Sequence, residues 1–170
     1  MNEITLTDLG NLGEFVGAIA VVASLIYVGI QLRQNTAAIK ITTAQAFTDT
    51  WNGYISTLNL APDLGDVFFR GLKGTSQLKE GEVVQFYAFL SQAFTTYQSF
   101  FIQRKKGVVD EGYWTSYVQA IIDLMSSKGV REYWEFRHHW YTEEFQDYVN
   151  SVSTKQSTHT MYPGLPEANL

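Results

Sequence analysis

The chain has 170 residues, with 12 Lys and Arg, 17 Asp and Glu, and no cysteine. The missing cysteine excludes thiol catalysis, disulfides, iron–sulfur clusters and cysteine-based zinc sites. Glu3, Asp8 and Glu14 are the only charges before Arg33, and the 12 basic residues after them face 14 acidic ones, so no basic face invites nucleic acid.

Residues 1–11 read as a short N-terminal tail. Residues 12–32 follow, apolar but for the single charge Glu14 and a few small or polar side chains such as Ser24 and Tyr27. At about 1.5 Å of rise per residue, a helix of this length matches the ~30 Å hydrocarbon core of a bilayer. A secretory signal would carry a basic start, and this one is acidic. A buried core helix would be shorter or carry a polar stripe. The reading is therefore a transmembrane helix with the lipid bilayer as its partner. Arg33 and Lys40 follow the span and nothing basic precedes it, which places the N-terminus outside and the C-terminal domain in the cytoplasm. Gly10, Gly13, Gly17, Ala20 and Ser24 recur at spacings of three and four, on one helix face. Small residues at that spacing let a second backbone approach in lipid. A membrane-protein partner or a homo-oligomer is the corresponding expectation.

The helical pattern continues past the span. Ala37, Ile41, Ala44, Phe47, Trp51, Tyr54, Ile55 and Leu58 keep helical spacing, which predicts one helix from 8 or 9 to 59, ended by Ala61 and Pro62. Its second half is expected to project as a stalk or to pack on the domain. A short helix over 67–72 and a polar loop over 75–81 come next. A long helix over 80–106 has Val83, Phe86, Leu90, Phe94, Tyr97 and Phe101 on one face. It closes on Arg104, Lys105, Lys106 and Gly107, with cations at the negative end of the dipole and glycine at the cap. Asp110 caps a helix running to 126. Gly129 opens one over 130–141, and Thr142 caps one over 143–152. Residues 153–170 are polar, contain Pro163 and Pro166, and read as a tail. Residues 33–152 form the helical soluble domain, and the fold class is all-α: a long N-terminal helix plus a compact bundle of about five.

Candidate chemistry is sparse. Glu132, Glu135 and His138 share a helix face, and Glu135-x-x-His138 has the spacing of carboxylate–histidine di-iron sites. Such a site needs a second motif of the same kind, plus a glutamate on each of two other helices, and the chain has no second motif. Glu135 and His138 are therefore weak metal candidates, no cofactor is expected, and no catalytic residue is assigned. Tyr133, Trp134, Phe136, Trp140, Tyr141 and Phe145 surround Arg137. Trp134, Arg137 and Tyr141 stand three and four apart, so the guanidinium is expected to stack on those rings. Trp134, Arg137, Trp140 and Tyr141 form an aromatic contact cluster, read as a capped core helix or as a contact patch.

Three blocks carry a resemblance. The first is Ser24-Leu25-Ile26-Tyr27-Val28 running into Gln31-Leu32-Arg33-Gln34-Asn35-Thr36. The second is Arg104-x-x-Gly107-x-x-Asp110-Glu111-x-x-Trp114. The third is Gly129-x-Arg131-x-x-Trp134 with Phe145-x-x-Tyr148-Val149. Together they resemble a family of uncharacterised bacterial proteins with an N-terminal span and a helical domain. Relatives often show Pro-Gly and Trp-Trp where this chain has Lys128-Gly129 and Tyr133-Trp134. The resemblance implies a single-pass protein of the bacterial inner membrane and no activity. The functional expectation is an accessory or scaffold protein that docks on a membrane complex through its span and helical domain. The alternatives are a ligand-binding or sensory domain with an aromatic-lined pocket, and a small membrane-bound metalloenzyme with its metal at Glu135 and His138.

Overall fold

A computed structural model describes residues 6–154 together with 161, 162 and 165. Among these residues the backbone forms helices and turns with no strand, and the fold is all-α. Helix α1, Leu6–Leu60, starts inside the stretch expected to be a tail; the rest of that stretch, residues 1–5, lies outside the described residues. It stops where expected. A residue before proline avoids helical geometry, and Ala61 sits at φ −126° and ψ 83°. The same Pro62 opens α2, Pro62–Lys73, where a missing N–H costs nothing. Helix α2 therefore starts well before the expected 67. The chain divides within α1 into two compact units, Met1–Ile41 and Thr42–Leu170.

In the first unit every described side chain from 6 to 41 whose burial is given is exposed, including Phe15 at 65 % and Leu25 at 67 %. A soluble amphipathic helix shows water a polar face, whereas residues 15–30 of this segment carry no charge on any face. It belongs to a helix long and apolar enough to cross a membrane, with none of the apolar window buried.

The second unit is built on an aromatic core. Its central helix α3, Glu80–Lys105, buries Phe86, Leu90, Ala93, Phe94, Tyr97 and Phe100, the stripe its spacing predicts. Residues 42–60 of α1 pack on that stripe. Phe47 stacks on Phe100 with ring centroids 4.5 Å apart, and Tyr54 meets Phe89 at 5.7 Å. The Tyr54 hydroxyl donates to the Gln92 carbonyl at 2.9 Å and also meets the Thr96 hydroxyl. Helix α3 ends as expected, with Gly107 at φ 74° and its N–H bonded to the Arg104 carbonyl at 2.9 Å. Arg104 and Lys105 also pair with Glu111 and Glu144, each at 2.7 Å.

Helix α4, Glu111–Met125, is capped by Asp110, whose carboxylate accepts from the Gly112 N–H at 2.9 Å. Helix α5, Lys128–Arg137, crosses α2 closely. A Cβ on Gly129 would stand 1.8 Å from the Gly71 carbonyl oxygen, and one on Gly71 would stand 2.6 Å from the buried Phe86 ring. The two glycines leave the room in which that ring and the two backbones meet. Helix α6, Glu143–Ser153, buries Phe145, Val149 and Val152. Thr142 precedes it as expected, but its side chain makes no capping bond, and its N–H goes to Gln98 Oε1 at 2.7 Å.

Two further ties hold the periphery. Arg70 pairs with Asp66 at 2.7 Å and grips both oxygens of Glu82 at 3.0 Å. Those bonds and the Lys79 N–H hold the Glu82 carboxyl down at about 2. The second tie comes from the stretch read as a polar tail. Met161, Tyr162 and Leu165 are partly buried against the core, while most of that stretch lies outside the described residues. The polar composition of 153–170 concealed these three apolar contacts.

Candidate functional site

The residues singled out by sequence meet on α5 and the segment after it. The expected helix over 130–141 ends early: α5 stops at Arg137 and a 3-10 turn, His138–Trp140, follows. The His138 ring sits against this helix end. Its Nδ1 lies 3.1 Å from the Trp134 carbonyl and 3.0 Å from the Glu135 carbonyl, so the imidazole closes the helix end on itself.

That geometry bears on the weak metal candidates Glu135 and His138. Glu135 is exposed, and His138 turns one ring nitrogen to the backbone. Glu132 is engaged elsewhere: its carboxylate accepts from the Thr75 N–H at 2.8 Å and the Thr75 hydroxyl at 2.6 Å, with Lys128 3.7 Å away. Partial burial opposes its ionisation, but the Thr75 bonds and Lys128 carry the carboxyl below its ordinary value. Glu132 thus ties α5 to the turn Thr75–Gln77. Among the described residues no three histidines, cysteines, aspartates or glutamates gather where they could hold a metal ion. Glu135→Gln and His138→Gln should each change unfolding free energy by less than about 0.5 kcal/mol in denaturant titrations. Stoichiometric metal in the wild-type protein, lost in His138→Gln, would contradict this arrangement.

The aromatic cluster divides into two parts. Trp134 and Tyr141 turn inward, with ring centroids 5.5 Å apart, and Trp134 also stacks on Phe94 at 5.0 Å. The indole N–H donates to Asn150 Oδ1 at 2.9 Å. Deeper in, Tyr133 donates to Ser91 Oγ at 2.9 Å and meets the Tyr141 hydroxyl at 2.6 Å, while Ser91 donates to the Tyr87 carbonyl at 2.8 Å. Burial first, and the bond to Tyr133 second, push the Tyr141 hydroxyl's pKa well up, so it stays protonated.

Arg137 takes a different course from the one its spacing suggested. Its guanidinium stacks on Trp140 at 3.9 Å and on Phe136 at 4.8 Å, not on Trp134 or Tyr141. The cause is the 3-10 turn, which redirects Trp140 and carries Tyr141 into the core. Phe136 and Trp140 remain 59 % and 56 % exposed, and Arg137 Nε is buried without a hydrogen-bond partner. The outward part of the cluster is therefore a cation clamped between two solvent-facing rings.

In the first unit, Gly10, Gly13, Gly17, Ala20 and Ser24 are all exposed, and a Cβ on any of the three glycines would meet nothing within 4 Å. The strip is open on that side, as is the rest of the exposed segment. Sequence reasoning missed the Gly71–Gly129 crossing, because the two glycines are far apart in the chain and neither needs an unusual φ. It also treated Tyr97 as core alone, although its hydroxyl ends buried and unpartnered. No family model matches this chain, and neither does any curated protein or solved structure, so the likeness to the uncharacterised bacterial family rests on the three sequence blocks alone.

Proposed function

We propose that this chain is a membrane-anchored accessory or scaffold protein, held in the bacterial inner membrane by the first part of α1. On this reading it docks on a partner membrane complex through that helix and the helical domain. One observation carries the reading: an apolar helical segment, exposed on every side, joined to a unit with an aromatic core of its own. Exposed apolar surface on this scale is costly in water and costs nothing in lipid. The strip of Gly10, Gly13, Gly17, Ala20 and Ser24 supports helix-to-helix docking within the bilayer. The exposed Phe136 and Trp140, with the half-buried Arg137 against both rings, offer a second contact, of a composition common at protein interfaces.

Arg33 and Lys40 orient the span with the second unit in the cytoplasm. A reporter that works only in the cytoplasm, fused after Leu170, is expected to be active, and the protein is expected to sediment with membranes and resist extraction by alkaline carbonate. Periplasmic labelling of the fused end would reverse the orientation, and carbonate release would remove the anchor. Detergent pull-down of the full chain followed by mass spectrometry tests the docking role. Recovery of the chain alone and monomeric would count against it.

A further inference from the structure

Arg137 ends α5 half-buried, with its guanidinium on the Trp140 ring at 3.9 Å and on the Phe136 ring at 4.8 Å. Its Nε is buried and makes no hydrogen bond. Among the described residues the ion pairs go to Arg70, Arg104, Lys105 and Lys128, and none to Arg137. The two carboxylates of its own helix do not serve it. Glu132 is held by Thr75 and Lys128, and Glu135 is exposed and makes no pair with it. A guanidinium that has lost part of its water is ordinarily offset by hydrogen bonds to a charged acceptor. Here the rings supply stacking and no acceptor. Apolar surface continues from those rings onto α3. Tyr87 faces Phe136 with centroids 6.0 Å apart, and Val84, one turn before Tyr87, is 68 % exposed.

We propose that Val84, Tyr87, Phe136, Arg137 and Trp140 form a docking surface for a partner protein segment that presents one Asp or Glu carboxylate beside a large apolar side chain. The carboxylate accepts from the terminal nitrogens of Arg137, and the apolar side chain covers Phe136 and Trp140. This names the chemistry of the second contact in the docking role proposed above, and it rests on that reading. Charge selects the occupant. An anionic lipid surface is held by clusters of about four to eight cations, each adding about 1 kcal/mol. This face has one cation, with the exposed Glu135 two residues away. A single planar fork among rings is the complement of a single carboxylate. Arginine and large aromatic rings are also the side chains that dominate the energetics of protein interfaces.

The test selects short random peptides displayed on phage against the full chain in detergent, with counter-selection on empty micelles and on Arg137→Gln. Surviving sequences should carry one Asp or Glu next to a large apolar residue. A synthetic peptide of the consensus sequence should bind the wild-type chain at one site, and Arg137→Gln about tenfold more weakly. Arg137→Lys keeps the charge but not the planar fork, and its affinity should lie between. Replacing the peptide carboxylate by an amide should cost a similar factor on wild type and nothing further on Arg137→Gln, a coupling that a purely structural role for Arg137 would not produce. Trp140→Ala should also weaken binding, and far-UV circular dichroism checks that each variant keeps its helices. Recovery of no peptide, a consensus without an acidic residue, or losses that simply add overturns the proposal. Quenching of tryptophan emission by brominated lipid around the reconstituted chain, lost in Trp140→Phe, assigns the face to lipid and overturns it as well. These titrations use the purified chain, so their failure is distinct from release by carbonate or recovery of the chain alone, which count against the docking role itself.

Discussion

Gly129→Ala should lower the stability of the second unit by about 3 kcal/mol in denaturant unfolding of the full chain, the upper end of the cost of overpacking. The added Cβ would stand 1.8 Å from the Gly71 carbonyl oxygen, 2.9 Å from its carbonyl carbon and 3.3 Å from the Phe86 ring. The first two are backbone atoms in a helix and cannot swing aside. Relief requires α5 to move off α2, which pulls buried Val130 and Leu72 out of contact with their neighbours. The sign is the diagnostic part. An ordinary helical glycine replaced by alanine gains about 0.5–1 kcal/mol from propensity. Gly53→Ala, at a helical position with nothing within 4 Å, should show that gain. A gain at both sites would mean that the two helices do not meet as described.

Much of the architecture was legible because its causes are local. The stripe of Phe86, Leu90, Phe94 and Tyr97 repeats at helical spacing, and the stops are chemical: Pro62 for α1, Gly107 for α3, Asp110 before α4. The apolar run of α1 was legible for the same reason. What failed depended on distant partners. Helix propensity says nothing against residues 138–141, yet the His138 imidazole turns to the carbonyls of Trp134 and Glu135 and the helix closes at Arg137. The turn that follows leaves Arg137 on Phe136 and Trp140 rather than on the expected rings. Thr75 claims Glu132 across a gap in sequence that no spacing rule covers. The Met161 and Tyr162 contacts were hidden by the polar residues around them.

The division of the aromatic cluster predicts unequal tryptophans. Trp134→Ala should cost on the order of 3–5 kcal/mol, the range for removing a large ring from a core. The ring is 6 % exposed and stacked between Phe94 and Tyr141, with Phe145 edge-on at 6.2 Å. Its loss opens a void among packed rings and strips Asn150 of its indole donor. Trp134→Phe should recover most of the packing and lose mainly that bond, at about 1 kcal/mol. Trp140→Ala removes the same side chain three residues past the end of α5, yet should cost less than about 1 kcal/mol. It is 56 % exposed, and its main partner is the guanidinium of Arg137 at 3.9 Å, a surface stacking contact. Denaturant midpoints followed by circular dichroism at 222 nm give the comparison without relying on tryptophan emission. Equal losses at the two positions would mean one continuous cluster around Arg137, as its sequence spacing first suggested. A large loss at Trp134 alone places the structural part inside and leaves Phe136, Arg137 and Trp140 free to be altered in docking experiments without unfolding the domain.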